Sequence, residues 1–166
     1  MLELGYAIAR KALFALEPEQ AHEATLKALE NGLYLRASGS DDTRLAVTVA
    51  SLHFPNPIGI AAGYDKDARV PDAVLGIGCG FAEIGTVTPL PQSGNPQPRV
   101  FRLLDDHAVI NRLGFNNAGH GAALARLERR AAQGIVGVNI GANTDATDRA
   151  ADYVRGLETF NHVASY

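Results

Sequence analysis

Four short polar motifs between residues 55 and 143 each close a short apolar run, and the runs are spaced as βα units. They are Ala61-Ala-Gly-Tyr-Asp-Lys-Asp67, Ile84-Gly-Thr-Val-Thr-Pro89, Asn111-Arg-Leu-Gly-Phe-Asn-Asn117 and Val138-Asn-Ile-Gly-Ala-Asn143. In a parallel α/β protein, ligands sit at the carboxyl ends of the strands. One such motif is weak evidence. Four in order describe one site assembled from several loops, which is how an α/β enzyme is built.

The surrounding pattern supports that frame. Residues 2–16 read as a helix whose few polar residues, Glu3, Arg10, Lys11 and Glu17, fall on one stripe. Pro18 breaks it and can open a second helix from its first turn. There Glu19, Glu23, Lys27 and Glu30 form a polar stripe, and His22, Leu26, Leu29 and Leu33 an opposite, largely apolar one. Gly32 closes it. This hairpin has more apolar face than a solvated one needs. Periodicity leaves two meanings open, packing on the rest of the protein or lying at a membrane surface, and favours the first. A polar linker at 37–42 follows, then a short hairpin (45–49 and 52–54). Next come a strand at 58–61, a helix at 68–75 interrupted by Pro71, and a strand at 81–84. A proline-rich loop at 87–99 leads to a second hairpin (100–104 and 108–110), turning at 105–107. A helix at 118–132, a strand at 137–140 and a helix at 150–162 complete the pattern, with caps available from Asp145 to Asp148.

Composition removes several functions. The chain has 166 residues, 46% hydrophobic and 20% charged, with a net charge of -3. That is ordinary for a globular protein and gives no bulk electrostatic case for nucleic acid. The single Cys79 excludes an internal disulfide, and its Gly-rich, apolar neighbourhood reads as a buried thiol. No apolar run reaches the ~18 residues of a spanning helix, and no signal peptide is visible, so a cytoplasmic location is expected. No metal-ligand spacing, nucleophile elbow or P-loop is present. Gly76-Ile-Gly-Cys-Gly80 looks like a dinucleotide fingerprint but follows a helix and precedes a strand, the reverse of the order that motif requires.

Taken singly, the motif residues have bland explanations. Lys66 could be a solvated loop lysine beside Asp65 and Asp67, or a cation at a strand mouth that meets an anionic substrate or a flavin edge. Thr86 and Thr88 offer hydroxyls, or merely β-propensity. The loop from Asn111 through Arg112, Leu113, Gly114 and Phe115 to Asn117 is dense in amides, which suit imide or carboxylate recognition. A Gly/Asn turn before a helix explains Asn116 or Asn117 better than it explains Asn111. Asn139, in an apolar strand, needs a partner, either a ligand or the backbone.

Together these residues resemble the dihydroorotate dehydrogenases, the quinone-dependent class 2 enzymes in particular. The resemblance runs from about residue 12 to 166. Its most specific stretches are Pro57-Ile-Gly-Ile-Ala-Ala-Gly-Tyr-Asp-Lys66, Glu83-Ile-Gly-Thr-Val-Thr-Pro89, Pro98-Arg-Val-Phe-Arg-Leu103, Ile110-Asn-Arg-Leu-Gly-Phe-Asn-Asn117 and Gly137-Val-Asn-Ile-Gly141. It implies a (β/α)8 TIM barrel with FMN at its C-terminal mouth. Such enzymes oxidise (S)-dihydroorotate to orotate in pyrimidine biosynthesis, a base removing the C5 proton and a hydride passing from C6 to the flavin. By motif match, Ala62, Gly63, Tyr64, Asp65, Lys66, Thr86 and Asn139 would meet FMN. Lys66 would lie between flavin and substrate, and Asn111, Arg112, Leu113, Gly114 and Phe115 would hold orotate. The helical pair, domain 1–36, would form a quinone tunnel at the cytoplasmic side of the inner membrane, as in a peripheral membrane protein, with His22 and Arg102 lining it. This reverses the preference drawn from periodicity.

Residues 37–166 are then expected to be the first part of the barrel. A (β/α)8 barrel needs ~250 residues, and the sequence stops where a fourth strand should begin. The family's catalytic serine, in an Asn-x-Ser-Ser-Pro-Asn type motif, is expected just past Tyr166, so Ser165 is not the base. Tyr64 stands where Leu is common, and Ala142 and Thr144 replace lysines often seen there. Two alternatives remain open: a soluble class 1 relative, which residues 2–33 argue against, and a non-catalytic half-barrel used as an interaction module.

Overall fold

The computed structural model describes residues 2–131 and 133–166, without the side chains of residues 2–4. Two helices lead the chain, α1 (Leu2–Ala15) and α2 (Pro18–Glu30). Pro18 supplies the first turn of α2. The helix ends in a Schellman motif: Gly32, at φ +71°, donates to Leu29 O at 3.0 Å and Leu33 to Ala28 O at 2.8 Å.

The two helices differ sharply. Tyr6, Ile8 and Phe14 of α1 are exposed, whereas α2 buries Ala21 and Leu26. Leu26 belongs to the main core with Val70, Val74, Ile84, Val87, Leu127, Val136 and Phe160. Thus the packing reading holds for α2, and α1 keeps a broad exposed apolar surface.

A short antiparallel hairpin, β1 (Val47–Val49) with β2 (Leu52–Phe54), precedes the parallel sheet. The sheet has β3 (Gly59–Ile60), β4 (Phe81–Val87) and β7 (Ile135–Ile140) in sequence order. Register runs from Phe81 opposite Ile135 to Gly85 opposite Asn139. Between β4 and β7 an antiparallel hairpin, β5 (Val100–Leu103) with β6 (Ala108–Asn111), projects outward. The connecting helices are α3 (Pro71–Gly76), α4 (His120–Leu127) and α5 (Arg149–Phe160). Strand alternation divides β4 into two faces: Ala82 and Ile84 enter the core under the helices, while Glu83 faces the other way. α5 is capped by Asp148, whose carboxylate accepts from Ala151 N at 3.0 Å.

Residues 164–166 lie along the free edge of β7. Ser165 N donates to Val136 O at 2.8 Å and Val138 N donates to Tyr166 O at 3.0 Å. The edge left by three βα units is therefore covered at that point by residues 164–166.

Two expected helices are shorter in fact. Residues 68–70 are not helical, because Ala68 takes φ +58° and the Asp65 carboxylate holds the amides of Arg69 and Val70. The helix starts at Pro71 instead, a proline-first start. The helix expected at 118–132 runs from His120 to Leu127. Gly119, at φ +84°, sets its start, and Ala132 lies outside the described residues.

Candidate functional site

The loop after β3 is the centre of the arrangement. Gly63 takes φ +107°, and a side chain there would meet nothing within 4 Å. Its amide donates to Gly85 O at 2.7 Å, and Gly85 N donates to Asp65 O at 2.9 Å. The loop is thus sewn to the end of β4 and presents bare backbone to open space, which suits a flat ring system. Lys66 folds back so that Nζ donates to Gly63 O at 2.8 Å. Burial pushes its ammonium below the usual lysine range, and the Glu19 carboxylate opposes that shift.

Asp65 has a different task from the one its motif suggests. It is 2% exposed, and its two carboxylate oxygens accept from Arg69 N at 2.8 Å and Val70 N at 2.7 Å. Burial raises its pKa, with those amides pulling the other way. Its side chain holds the loop's shape, so any contact it makes with a cofactor runs through the backbone.

Behind Lys66 stands α2. A cleft of about 360 Å³ lies between them, lined by Glu19, His22, Leu26, Gly63, Tyr64, Lys66, Leu113 and Asn116 among others. His22 Nε2 is 2.6 Å from Tyr64 O, and the two rings are 5.3 Å apart at their centroids. Burial pushes the imidazole pKa down, against the pull of that carbonyl. A neutral histidine facing a carbonyl carries its proton on the near nitrogen, so His22 is the Nε2–H tautomer. The Tyr64 hydroxyl donates to Thr25 Oγ1 at 3.0 Å. Asn116 Oδ1 is buried with no partner among the described residues, leaving an acceptor at the cleft for a donor to meet.

His22 and Arg102 do not share a cavity. The Arg102 guanidinium donates to the carbonyls of Leu16 at 2.8 Å, Phe14 at 3.2 Å and Leu13 at 3.3 Å. It sits 4.8 Å over the Phe14 ring. It therefore caps α1, where a cation meets the helix's unpaired carbonyls. Its groove, about 560 Å³, runs between α1 and the β5–β6 hairpin.

Within the 111–115 loop, Leu113 reaches the cleft. Asn111 Oδ1 accepts from Leu113 N at 3.4 Å, a local turn contact on an exposed residue. Arg112 donates to Pro98 O at 3.0 Å. Gln92 supports the carbonyls of Gly114 and Phe115 at 3.1 and 3.2 Å, and the Phe115 ring stays exposed. The loop is braced from beneath with Asn111 and Phe115 turned outward. On the sheet, Thr86 Oγ1 donates to Asn139 Oδ1 at 2.6 Å, joining the motifs of two strands.

Sequence reasoning passed over the residues that hold this mouth together. Asn117 donates to Thr88 Oγ1 at 2.8 Å, and Asn143 bonds Leu90 and Gln92. Both stood in recognised motifs, and an amide in a strand-end motif is the signal that could have marked them. Among the described residues no cluster suited to a metal ion occurs.

Parallel strands with ligand-type loops at their carboxyl ends define the front of a (β/α)8 enzyme barrel behind a helical pair. The comparisons with known proteins make this specific. A family model described as dihydroorotate dehydrogenase matches residues 44–166. A dihydroorotate dehydrogenase (quinone) of Chelativorans sp. (strain BNC1) is 59% identical over 100% of this chain and 46% of its own length. A mitochondrial one from Cyclocybe aegerita is 61% identical over 100% of this chain and 51% of its own. The Eimeria tenella DHODH crystal structure in complex with ferulenol superposes with a TM-score of 0.85 at 40% identity, covering 90% of this chain and 42% of that one. The chain belongs to the dihydroorotate dehydrogenase family, and it spans about half the length of the curated relatives it matches.

Proposed function

We propose that this chain supplies the front of a quinone-dependent dihydroorotate dehydrogenase that uses FMN and acts in pyrimidine biosynthesis. The observation that carries the proposal is the single cleft shared by the Gly63–Lys66 loop and His22 of α2. Gly63 gives backbone approach to a flat cofactor, and Thr86 and Asn139 give polar contacts beside it. When bound, FMN supplies the two-electron acceptor for a substrate hydride and the donor for a quinone. Lys66 holds positive charge where an anionic substrate would sit, and the 111–115 loop would hold that substrate. His22 faces the quinone side. Arg102 fixes the end of α1 there and lines the groove between α1 and the β5–β6 hairpin, where a quinone would pass.

Ser165 is read as a structural residue and not as the base, a reading supported by its hydroxyl accepting from Val136 N at 3.2 Å on β7. The exposed face of α1 supports peripheral binding at the cytoplasmic side of a membrane, by interfacial burial of apolar area. No helix among the described residues is long and apolar enough to cross one.

The test is Lys66→Ala in the FMN-loaded enzyme. Loss of a preorganised charge at the reacting edge should slow flavin reduction by dihydroorotate roughly a hundredfold, with FMN retained. Stopped-flow reduction at the wild-type rate would reject the site. Vesicle flotation checks the membrane part, and failure to float would favour the soluble class 1 type of enzyme.

A further inference from the structure

Glu83 lies on the face of β4 opposite the core, directed toward the barrel interior, and it is half-buried. A carboxylate there is costly unless it is paired or well hydrogen-bonded. Among the described residues it has no ion pair with a cation. A neutral donor holds it instead. Asn139 Nδ2 donates to Glu83 Oε1 at 3.1 Å. The Tyr166 hydroxyl lies near Glu83, its pKa raised first by burial and then by that carboxylate. Tyr166 reaches this point because Gly137 lets its ring lie on β7, where a Cβ at position 137 would collide with that ring.

The direction of every bond in this chain follows from its end. An ionised carboxylate can only accept, so Asn139 must turn its NH2 toward Glu83. Its Oδ1 then faces Thr86, and the Thr86 hydroxyl must donate to it, as the 2.6 Å contact requires. With its one proton committed, Thr86 can only accept from anything bound beside it. The relay runs from Thr86 into Asn139 and from Asn139 into Glu83.

We propose that Glu83 is a positioning residue that fixes the hydrogen-bond polarity of Asn139 and Thr86, so that Thr86 offers the bound ring an acceptor suited to a ring N–H. The inference rests on the reading of Thr86 and Asn139 as flavin contacts. A neutral amide at position 83 can donate as well as accept, so it lets Asn139 take either orientation and frees the Thr86 proton to point at the ligand.

The experiment compares Glu83→Gln, Thr86→Val and Asn139→Ala in the holoenzyme. FMN dissociation constants are measured after apoenzyme reconstitution, with visible flavin spectra and thermal midpoints. The expected result is a rise of about tenfold in the FMN dissociation constant for Glu83→Gln, the worth of one misdirected hydrogen bond. A displaced flavin absorption band should accompany it, with a thermal midpoint near wild type. Tyr166→Phe, which removes a neighbouring hydroxyl but keeps the carboxylate and its bond from Asn139, should retain wild-type affinity. If Glu83→Gln matches wild type in affinity and spectrum while Thr86→Val and Asn139→Ala weaken FMN, the polarity relay is overturned and the flavin contacts stand. If all three bind FMN as wild type does, the flavin reading of these residues fails and the relay with it. A fall in thermal midpoint with an unmoved spectrum would make Glu83 structural only and also overturn the proposal.

Discussion

Glu19→Ala should destabilise the protein far more than a surface glutamate would. Arg99, whose side chain is 9% exposed, is paired with Glu19, whose side chain is 27% exposed. The contact is bidentate, Nε to Oε1 at 2.9 Å and Nη2 to Oε2 at 2.8 Å. The remaining guanidinium nitrogen serves Ser93 O at 2.6 Å and Asn95 O at 2.9 Å. Removing the carboxylate leaves two donors of a buried cation without partners, which costs ~3–5 kcal/mol when burial is complete. Partial exposure of Glu19 lets water approach, so about 2–4 kcal/mol is expected here. Glu19→Gln, which keeps one neutral acceptor, should cost about half as much. With no tryptophan in the sequence, urea unfolding is followed by far-UV circular dichroism. A double-mutant cycle with Arg99→Met isolates the pair. A loss under about 0.5 kcal/mol for Glu19→Ala, typical of exposed ion pairs, would refute the clamp.

Acid should weaken the fold through the same helix. Arg99 holds the Glu19 carboxyl below its usual range, and Arg69 does the same for Glu23 and Glu30. These folded-state values are depressed, so the stabilisation is complete above the ordinary carboxylate range near ~4.3. It is lost as pH falls through the folded values. Unfolding midpoints from pH 7 to pH 3 should show this, and Arg69→Met should flatten the acid limb; an unchanged limb would contradict it. Leu26→Ala, in the core, should cost ~2–5 kcal/mol, while Phe14→Ala on exposed α1 should cost under about 1 kcal/mol. Equal costs would mean that the two helices form one packed unit.

The parallel strands were legible because each is an apolar run closed by a polar motif, although β4 runs on to Val87, so that Thr86 lies within the strand, and β7 begins two residues early, at Ile135. Hairpin positions followed from turn residues. The role of Asp65 was not legible. Its partners are backbone amides four and five residues on, reached only after Ala68 enters a left-handed conformation, and no side-chain pattern reports that. The same conformation hid the late start of α3. Arg102 could not be placed from sequence either, since its partners are main-chain carbonyls more than eighty residues away. Asn116 was read as a turn residue because Asn-Asn before a helix usually is one. Its unpartnered oxygen at the cleft shows only in three dimensions. The unequal standing of the two leading helices was also hidden, because both show apolar stripes and periodicity does not say which stripe finds a core.

That inequality explains how α2 can be a wall of the site. It buries only two residues, Ala21 and Leu26, and apolar contact of that size is non-directional and fixes neither rotation nor height. Its polar contacts are directional. Glu19 meets Arg99, His22 and Thr25 meet Tyr64, and Glu23 and Glu30 meet Arg69. Every one of these ends on a loop segment at 64–69 or on the arginine that anchors 93–99. Sliding α2 by one turn, about 5.4 Å, would break all of them at once. The helix and the lysine loop therefore form one rigid body, and His22 keeps its distance from the Gly63 backbone without help from ligand. α1 has no comparable set: its described ties are the Arg102 cap and the rings and cations around Phe14. Motion of α1 relative to the barrel is thus compatible with an unchanged cleft, whereas motion of α2 is not.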